Sequence, residues 1–262
     1  MKRFFIILSI VGYALHIHAA IWQWSVPVTE WISNETNSNP DAFLWIPEDC
    51  DSIKGVMFAF QNMNEETLFE MDSWRTNMAN MNVALIWIAP GFGQEWDIST
   101  GCQKAFDKAL SDLAAISGYD EIATATLSPV GHSAQATMPW NFAAWNPERT
   151  LCIISYHGDA PRTNLCGYGR NNIEWGRTRN IDGIPGLMIE GEYEWWYDRV
   201  RPALAFRMMY PKSCVSFLGD SGRGHFDVAE ETADYIAKFI QKSFDNRLRD
   251  NTLVAVDPQQ GW

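Results

Sequence analysis

One serine, on a predicted turn between a strand and a helix, is the residue best suited to nucleophilic chemistry. Ser133 lies in the stretch Gly131-His132-Ser133, which follows an apolar run ending at Val130. A serine hydroxyl is a weak nucleophile unless a base takes its proton, and a sharp strand-to-helix turn exposes it to such a base. Gly131 gives the room that this turn needs, and the Ala134 N–H at the start of the helix is placed to stabilise an oxyanion. A simple helix cap at Ser133 is the alternative interpretation.

The residues around Ser133 resemble the nucleophile elbow of the α/β-hydrolase family, whose motif is G-x-S-x-G. The sequence departs from that motif at Gln135, where the family has a second glycine that allows close packing of helix and strand. The stretch lies near the middle of the chain, between a predicted strand and a predicted helix, as in the family. The resemblance covers nearly all of the chain after its first twenty residues. It implies a mostly parallel sheet of about eight strands with helices on both faces, and a triad in the order serine, acid, histidine.

Position along the chain separates the five histidines as candidates for the base. Two of them lie within the first eighteen residues, in a predicted leader. His132 is the neighbour of Ser133 on the turn, where adjacent side chains diverge, and His157 precedes the region that supplies the acid in the family. His225 lies after the last predicted strand and before the last predicted helix, where the family has its histidine. The resemblance therefore implies that His225 is the base, and a polar loop histidine is the alternative.

Two glutamates are the main candidates for the acid of the triad. In the family it follows the strand that ends here near Ile189, and both Glu192 and Glu194 meet that requirement. In relatives of the dienelactone-hydrolase type the acid stands three residues beyond the glycine that ends this strand, a glycine that Gly191 resembles. Glu194 is therefore preferred and Glu192 is the alternative, with Asp159 as a less common position. The acid would hold the tautomer of the histidine and stabilise its charged form.

A second oxyanion donor is expected from the loop after the strand that ends at Phe60. Many relatives carry His-Gly in this loop, whereas this chain has Gln61-Asn62-Met63. The backbone N–H of Met63 is the first choice and that of Asn62 the second. A plain strand-to-helix turn is also compatible with these residues, because a backbone donor leaves little trace in the side chains.

Short apolar runs alternate with segments of helical period along the whole chain, which is the pattern of an α/β fold. Strands are predicted at 21–28, 42–46, 55–60, 83–88, 124–130, 151–156, 187–189 and 214–218. Four helices are predicted. One covers residues 134–145, after the turn at Ser133. The other three are recognised by apolar residues at helical spacing: Leu68, Met71, Trp74, Met78 and Met81 in the first; Phe106, Leu110, Leu113 and Ile116 in the second; Ala229, Ala233, Ile236 and Ile240 in the third.

Residues 21–262 are expected to form one domain, with an irregular segment at about 158–183 acting as a cap over the pocket. This segment is rich in glycine, asparagine and arginine, and long loops in compact domains are usually functional or disordered. The residues expected to contact substrate are His157, Arg170, Trp175 and Trp195.

The first twenty residues have the pattern of a secretory signal peptide. Lys2 and Arg3 form a basic start, Phe4 to Leu15 an apolar stretch, and Ala19 and Ala20 offer small residues for cleavage. The apolar stretch is too short to span a membrane. A buried helix is the alternative. The signal predicts a secreted or periplasmic protein.

The net charge and the cysteine content limit the kinds of partner and metal site that the chain is expected to have. The formal net charge of -12 repels phosphate backbones and anionic lipids, which argues against nucleic acid and membrane surfaces as partners. There is no CxxC motif and no histidine-rich cluster to indicate a zinc site. Five cysteines leave at least one unpaired, and Cys152 and Cys214 lie in apolar runs that favour buried free thiols.

The resulting hypothesis is a serine esterase that needs no cofactor. Thirteen tryptophans in an exported chain suggest flat apolar faces for sugar rings, although most tryptophans are expected in the core. The stretches Tyr156-His-Gly-Asp-Ala160 and Gly191-Glu-Tyr-Glu-Trp-Trp196 resemble exported bacterial carbohydrate esterases, which implies a methyl or acetyl ester on a pectin-like polysaccharide. The alternatives are an inactive glycan-binding protein, or a peptidase or lipase with the same triad.

Overall fold

A central sheet of eight strands organises the molecule, seen here in a computed structural model that describes residues 22–161, 173–194 and 196–260. The strands are β1 (Trp24–Pro27), β2 (Asp41–Trp45), β3 (Gly55–Phe60), β4 (Val83–Ala89), β5 (Leu127–His132), β6 (Ile153–Tyr156), β7 (Pro185–Gly191) and β8 (Cys214–Asp220). A separate pair, β9 (Leu248–Arg249) and β10 (Thr252–Leu253), forms a short hairpin.

The sheet is mostly parallel, as the sequence predicted. Its strand order is β1-β2-β4-β3-β5-β6-β7-β8. The β1–β2 and β2–β4 pairs are antiparallel, and every pair from β4 to β8 is parallel. Because parallel strands end at the same edge of a sheet, the loops after β3, β5, β6, β7 and β8 all emerge together.

In the part of the chain that the structure describes, six α-helices cover the two faces of the sheet: α1 (Glu65–Glu70), α2 (Asp72–Asn80), α3 (Cys102–Ser117), α4 (Met138–Trp145), α5 (Trp196–Met209) and α6 (Glu230–Arg247). Alternate residues of each strand face opposite sides. In β3, Phe58 packs with residues of α3 and α4, while Met57 packs with residues of α1, α2 and α6. A third apolar cluster joins α4 and α5 to the β6–β8 end of the sheet. Both faces of the sheet are therefore buried, as continuous apolar strands require.

An aromatic cluster fills the core on the α3 side. Phe58 lies 4.6 Å from Phe106 and 4.8 Å from Phe142, measured between ring centroids. Trp96 closes the group at 4.9 Å from Phe142. Each of these side chains is at most 1% exposed. Burying one such ring contributes roughly 1.5–3 kcal/mol, so this cluster anchors the strand that precedes the 61–64 loop.

Three helix predictions need correction. The apolar face from Leu68 to Met81 belongs to two helices, since Met71 is extended with ψ 132° and ends α1 before α2 begins. Helix α5 was not predicted, because Pro202 and several charged residues interrupt its apolar pattern. Ile116 is 53% exposed, whereas the other predicted residues of its helix face are buried. Its spacing rotates it away from the sheet.

The structure describes the side chains of ten tryptophans, and each of these ten is buried or half-buried. Five belong to the core: Trp74, Trp87, Trp96, Trp140 and Trp175. The other five are half-buried and pack against the core: Trp22, Trp24, Trp31, Trp45 and Trp145. Half of these ten tryptophans are therefore core residues, and the expectation that most of the thirteen lie in the core stays a prediction.

The four described cysteines are buried free thiols, Cys152 and Cys214 among them as predicted. Within the described ranges, no helix is both long enough and apolar enough to cross a bilayer.

We predict that Phe106→Ala lowers the free energy of unfolding by about 3–5 kcal/mol, because it empties the centre of the aromatic cluster. Ile116→Ala on the same helix is the matched control, and its exposed side chain should cost no more than about 0.5 kcal/mol. Denaturant unfolding of both variants measures the difference. Similar losses in the two would contradict the packing of α3 described here.

Candidate active site

Three polar side chains from different loops meet at the edge where the parallel strands end. Ser133 directly follows β5, Glu194 follows β7, and His225 lies in the loop between β8 and α6. They are far apart in the sequence, but β5, β7 and β8 are held side by side through β6. The sheet therefore supplies the geometry of the site.

Ser133 is in a strained backbone conformation. Its φ is +53°, which residues with a Cβ rarely adopt. The chain enters it from an extended His132 and leaves it in a 3₁₀ turn that spans Ser133–Thr137, so that the α-helix begins only at Met138. A Cβ on Gly131 would lie 2.1 Å from the carbonyl oxygen of Gln135, which explains the glycine. The turn projects the serine side chain out of the sheet edge.

Close packing of the turn survives the replacement of the second motif glycine by Gln135. The tight contact is made by a neighbouring loop instead, since a Cβ on Gly158 would lie 1.9 Å from the Cβ of Ala136. Gln135 is buried next to Gly91, where a Cβ would lie 3.4 Å from the Gln135 Nε2. The doubt that Gln135 raised about packing is thus resolved by two glycines from other loops.

A continuous chain of hydrogen bonds connects the three polar side chains. The Ser133 Oγ lies 2.7 Å from the Nε2 of His225. The Nδ1 of His225 lies 2.5 Å from the Oε2 of Glu194. A carboxylate at Nδ1 keeps the proton on that nitrogen and leaves Nε2 free to accept the serine proton.

Glu194 is completely shielded from solvent, and its charge is compensated locally. Its side chain is 0% exposed. The Arg199 Nη1 lies 3.1 Å from Oε2, and the Gly191 N–H donates to Oε1 at 2.9 Å. Sequence reasoning missed Arg199, because it belongs to the helix that was not predicted. A buried carboxylate without such partners would be costly, so Arg199 stabilises the ionised acid.

The other two candidate acids lie elsewhere. The Glu192 carboxylate accepts the Gly222 N–H at 2.8 Å and the hydroxyl of Ser221 at 3.3 Å. Both donors lie at the exposed start of the 221–229 loop that carries His225, which is called the base loop below. The side chain of Asp159 lies beside Arg199, with 3.8 Å between Oδ1 and Nε. Of the three acids, the structure brings Glu194 to the His225 ring.

Two of the expected substrate contacts are buried behind the site. His157 is wholly buried, with Nε2 3.3 Å from Asp220 Oδ2, so it faces the acid side of the site and not a substrate. Trp175 is 2% exposed and donates to the Asn141 Oδ1 at 2.8 Å. Both predictions were wrong for the same reason: the burial of these side chains is decided by tertiary packing, among polar groups for His157 and in an apolar cluster for Trp175. Arg170 and Trp195 lie outside the described residues.

The 61–64 loop approaches the elbow through Glu65, at the start of α1. The Met63 N–H, the first choice as second oxyanion donor, instead donates to the Glu65 Oε2 at 3.0 Å. Its side chain is 59% exposed. The Glu65 Oε1 accepts the N–H of His132 at 2.7 Å, which ties this loop to the end of β5. This leaves Asn62 as the candidate donor from the loop, together with Ala134 at the start of the 3₁₀ turn.

Burial changes the protonation of several groups around the site. It raises the pKa of Glu65 from 4.5 to about 7, against the opposing effect of the N–H groups that donate to it, that of His132 foremost. It raises the pKa of Glu190 to about 8, opposed by the positive charge of Arg199. It lowers the pKa of His132 to about 4, opposed by the hydrogen bond to the His225 carbonyl. His132 is therefore neutral near pH 7.

This arrangement can transfer a proton from a serine to a histidine and hold the resulting imidazolium against a carboxylate. Those two steps are what nucleophilic attack on a carbonyl requires. Within the described residues there is no cluster of histidine, cysteine, aspartate and glutamate side chains that could hold a metal ion.

Comparison with family models and with curated proteins finds no match, whereas comparison with solved structures finds many. An esterase of Pyrobaculum calidifontis is similar over 84% of this chain and 84% of its own, with 11% identity and a TM-score of 0.55. The fluorophosphonate-binding serine hydrolase F of Staphylococcus aureus is similar over 84% and 97%, with 12% identity and a TM-score of 0.53. A Bacillus cereus carboxylesterase is similar over 83% and 99%, with 12% identity and a TM-score of 0.52.

These likenesses, together with the strand order, show that the chain has the α/β-hydrolase fold. At such low identity they show the fold alone, and a fold hosts many functions. The function has to be argued from the site.

We predict that Glu65 makes the stability of the protein fall as the pH rises from about 5 to 7. The unfolded chain loses this proton near pH 4.5, whereas the folded chain keeps it to about pH 7. Between those values the folded state binds more protons, so the free energy of unfolding decreases with pH, by on the order of 3 kcal/mol in total.

Denaturant unfolding of the parent and of Glu65→Gln at pH 5 and pH 8 isolates this contribution. The parent should lose more stability than the variant between the two pH values, since Glu190 titrates in both. Equal losses would show that Glu65 stays ionised in the folded state.

Proposed function

We propose that this protein is a serine hydrolase of carboxylic esters, with Ser133 as nucleophile, His225 as base and Glu194 as the orienting acid. The observation that carries the proposal is the unbroken hydrogen-bond chain through these three side chains, with distances of 2.7 Å and 2.5 Å. The positive φ of Ser133 adds support, because backbone strain at a polar residue in such a chain is typical of an active site.

In the first half of the reaction the Ser133 Oγ attacks the ester carbonyl carbon while His225 Nε2 takes the hydroxyl proton. The negative charge moves to the carbonyl oxygen, and Glu194 stabilises the imidazolium across Nδ1. When the intermediate collapses, the protonated Nε2 gives its proton to the leaving alcohol. The products of this half are an acyl-serine and a free alcohol.

In the second half a water molecule attacks the acyl-serine, again with His225 as base, and the carboxylic acid is released. The oxyanion in both halves would be held by backbone N–H groups of Ala134 and Asn62. Ala134 begins a helical turn, where N–H groups have no partner within the turn. Two such donors aimed at the developing charge account for much of the rate enhancement of this reaction class.

The proposal extends to the substrate and the location of the enzyme. The substrate would be a methyl or acetyl ester of a carbohydrate, supported by the resemblance of the 156–160 and 191–196 stretches to carbohydrate esterases. Residues 1–20 would be a signal peptide, and 21–262 one domain with the 158–183 segment as a cap. The signal peptide is tested by measuring the molecular mass of the protein recovered from outside the cytoplasm. Cleavage after Ala19 or Ala20 would leave a chain that lacks the signal peptide.

An inactive glycan-binding protein is the rival from another class. That reading relied on exposed tryptophans, and the ten described tryptophans are not exposed. A binding protein also has no need for a nucleophile held at a strained φ. A peptidase or lipase with the same triad would share the chemistry and differ in the substrates accepted.

We predict that Ser133→Ala lowers ester hydrolysis by on the order of 10³-fold or more and leaves the fold intact, because the side chain carries the reaction and little core area. A fluorophosphonate probe should label the parent and not the variant. A panel of methyl, acetyl and feruloyl sugar esters, with simple alkyl esters and peptides beside it, then defines the substrate. Activity of the variant within tenfold of the parent would contradict the assignment of Ser133.

We predict that Glu194→Gln lowers kcat by on the order of 10³–10⁴-fold with little change in KM, because its charge acts when the imidazolium forms. Glu192→Gln is the matched control, two residues away. It keeps an oxygen that can accept the Gly222 N–H, and its kcat should stay within about threefold of the parent. Steady-state kinetics on the best ester of the panel measure both, and the reverse ranking would move the role to Glu192.

A further inference from the structure

The loop that carries His225 lacks buried anchors of its own. Between Asp220 and Ala229 every residue is exposed or half-exposed. Phe226, directly after the base, is 61% exposed. Apart from Val228, which packs partly buried against the core, the segment has little apolar packing, so hydrogen bonds contribute much of its positioning.

Some of these hydrogen bonds hold the ends of the loop: the Tyr156 hydroxyl donates to the Asp227 carbonyl at 2.7 Å, and the Tyr193 N–H donates to the Arg223 carbonyl at 3.0 Å. At its centre, two other histidines contact a single atom, the backbone carbonyl oxygen of His225. The His132 Nε2 lies 2.7 Å from that oxygen. The His157 Nδ1 lies 3.2 Å from it. His132 comes from the end of β5 and His157 from the end of β6, so the carbonyl is held from two adjacent strands. A carbonyl oxygen has two lone pairs and can accept both bonds.

The chemistry of the acceptor decides where the protons are. A carbonyl oxygen can only accept, so the contacting nitrogen of each ring must carry a hydrogen. His132 is neutral near pH 7, since burial lowers its pKa to about 4, and its one hydrogen therefore sits on Nε2. Its Nδ1 is buried without a partner, as expected for a nitrogen with no hydrogen to donate. His157 carries a hydrogen on Nδ1.

We propose that His132 and His157 form a clamp on the backbone of His225 and act as positioning residues for the triad. The clamp fixes the position of the base loop relative to the ends of β5 and β6, so that the His225 ring reaches both Ser133 and Glu194. This inference rests on the proposed function, because it assigns the two histidines to the working of the same site.

Each clamp residue is itself held in place. The His132 N–H donates to Glu65, and the carbonyl of His132 accepts from Asn62 Nδ2 at 2.8 Å. The strained His157, with φ +46°, has its carbonyl bound by Arg199 Nη1 at 2.8 Å. Thus His132 connects the base loop to the 61–64 loop, and His157 connects it to the residues that surround the acid.

His157 also faces the acid of the proposed triad. Its Nδ1 is 3.4 Å from Glu194 Oε1, and its Nε2 faces Asp220, whose other oxygen accepts the Thr232 hydroxyl at 2.9 Å. The three oxygens that these distances place near the ring nitrogens, those of His225, Glu194 and Asp220, are all acceptors. These contacts orient the ring so that Nδ1 points at the junction of base and acid.

The test removes each donor and then restores it. His132→Leu and His157→Ala lack the hydrogen bond to His225, whereas His132→Gln and His157→Asn can place an amide N–H close to the lost ring nitrogen. Asparagine also tolerates the positive φ at position 157. Thermal unfolding of all four variants identifies those that remain folded.

We expect the donor-lacking variants to lose on the order of 10–100-fold in kcat, since errors of about 1 Å in the placement of a reacting group have effects of this size. KM should stay within about threefold, because both rings are buried away from the surface that a substrate can reach. The donor-restoring variants should recover most of kcat, to within about fivefold of the parent. Folded donor-lacking variants with kcat within twofold of the parent would overturn the clamp, as would restoring variants that are equally impaired.

A measurement on the unmodified protein covers the case in which the variants do not fold or the parent hydrolyses no ester. Nitrogen NMR of the imidazole rings reports which nitrogen carries the proton. We expect a protonated Nε2 with a bare Nδ1 in His132, and a protonated Nδ1 in His157. A bare Nδ1 in His157, or a bare Nε2 in His132, would overturn the clamp whatever the activity. A parent that neither reacts with a fluorophosphonate nor cleaves esters would overturn only the proposed function.

Discussion

The contact between His225 and a fully buried Glu194 is the interaction on which the arrangement of the site depends. A carboxylate removed from water is unfavourable unless charges and hydrogen-bond donors surround it. Here Arg199, the Gly191 N–H and the His225 ring fill that role within 3.1 Å. These partners come from β7, α5 and the base loop, so the surroundings of the Glu194 carboxylate are complete only when all three are in place. A site built this way forms together with the fold, and cannot form before it.

The second requirement is that loops from different strands keep their relative positions. The parallel sheet provides this, because β3, β5, β6, β7 and β8 end at one edge and their hydrogen-bond registers leave no freedom to slide. Hydrogen bonds between the loops further fix their relative positions. Glu65 ties the 61–64 loop to the elbow, and His132 ties the elbow to the base loop. Apolar packing contributes from below, through the aromatic cluster under β3.

Electrostatics near the site follow from burial. Glu65 and Glu190 lie in places where water is excluded, which raises the pKa of each carboxyl to about 7 and about 8. The same exclusion lowers the pKa of His132 to about 4 and keeps it a neutral donor. Arg199 Nη1 contacts both neighbouring glutamates, at 3.1 Å from Glu194 Oε2 and 3.5 Å from Glu190 Oε2, and Glu194 also accepts the Gly191 N–H.

The sequence by itself determined the fold class, the strands and most helices, because those depend on patterns within a few residues: apolar runs for strands, helical spacing for helices and a glycine before a serine for the turn. It also pointed to Ser133, Glu194 and His225 through the order of motifs along the chain. What only the tertiary structure decided were contacts between distant segments: the burial of His157 and Trp175, the capture of the Met63 N–H by Glu65, and the place of Arg199 beside the acid. Such contacts depend on which surfaces the sheet brings together, and no local pattern records that. The sequence does not indicate whether a histidine faces solvent, substrate or the backbone of another histidine. Only the packing of the folded chain distinguishes these environments.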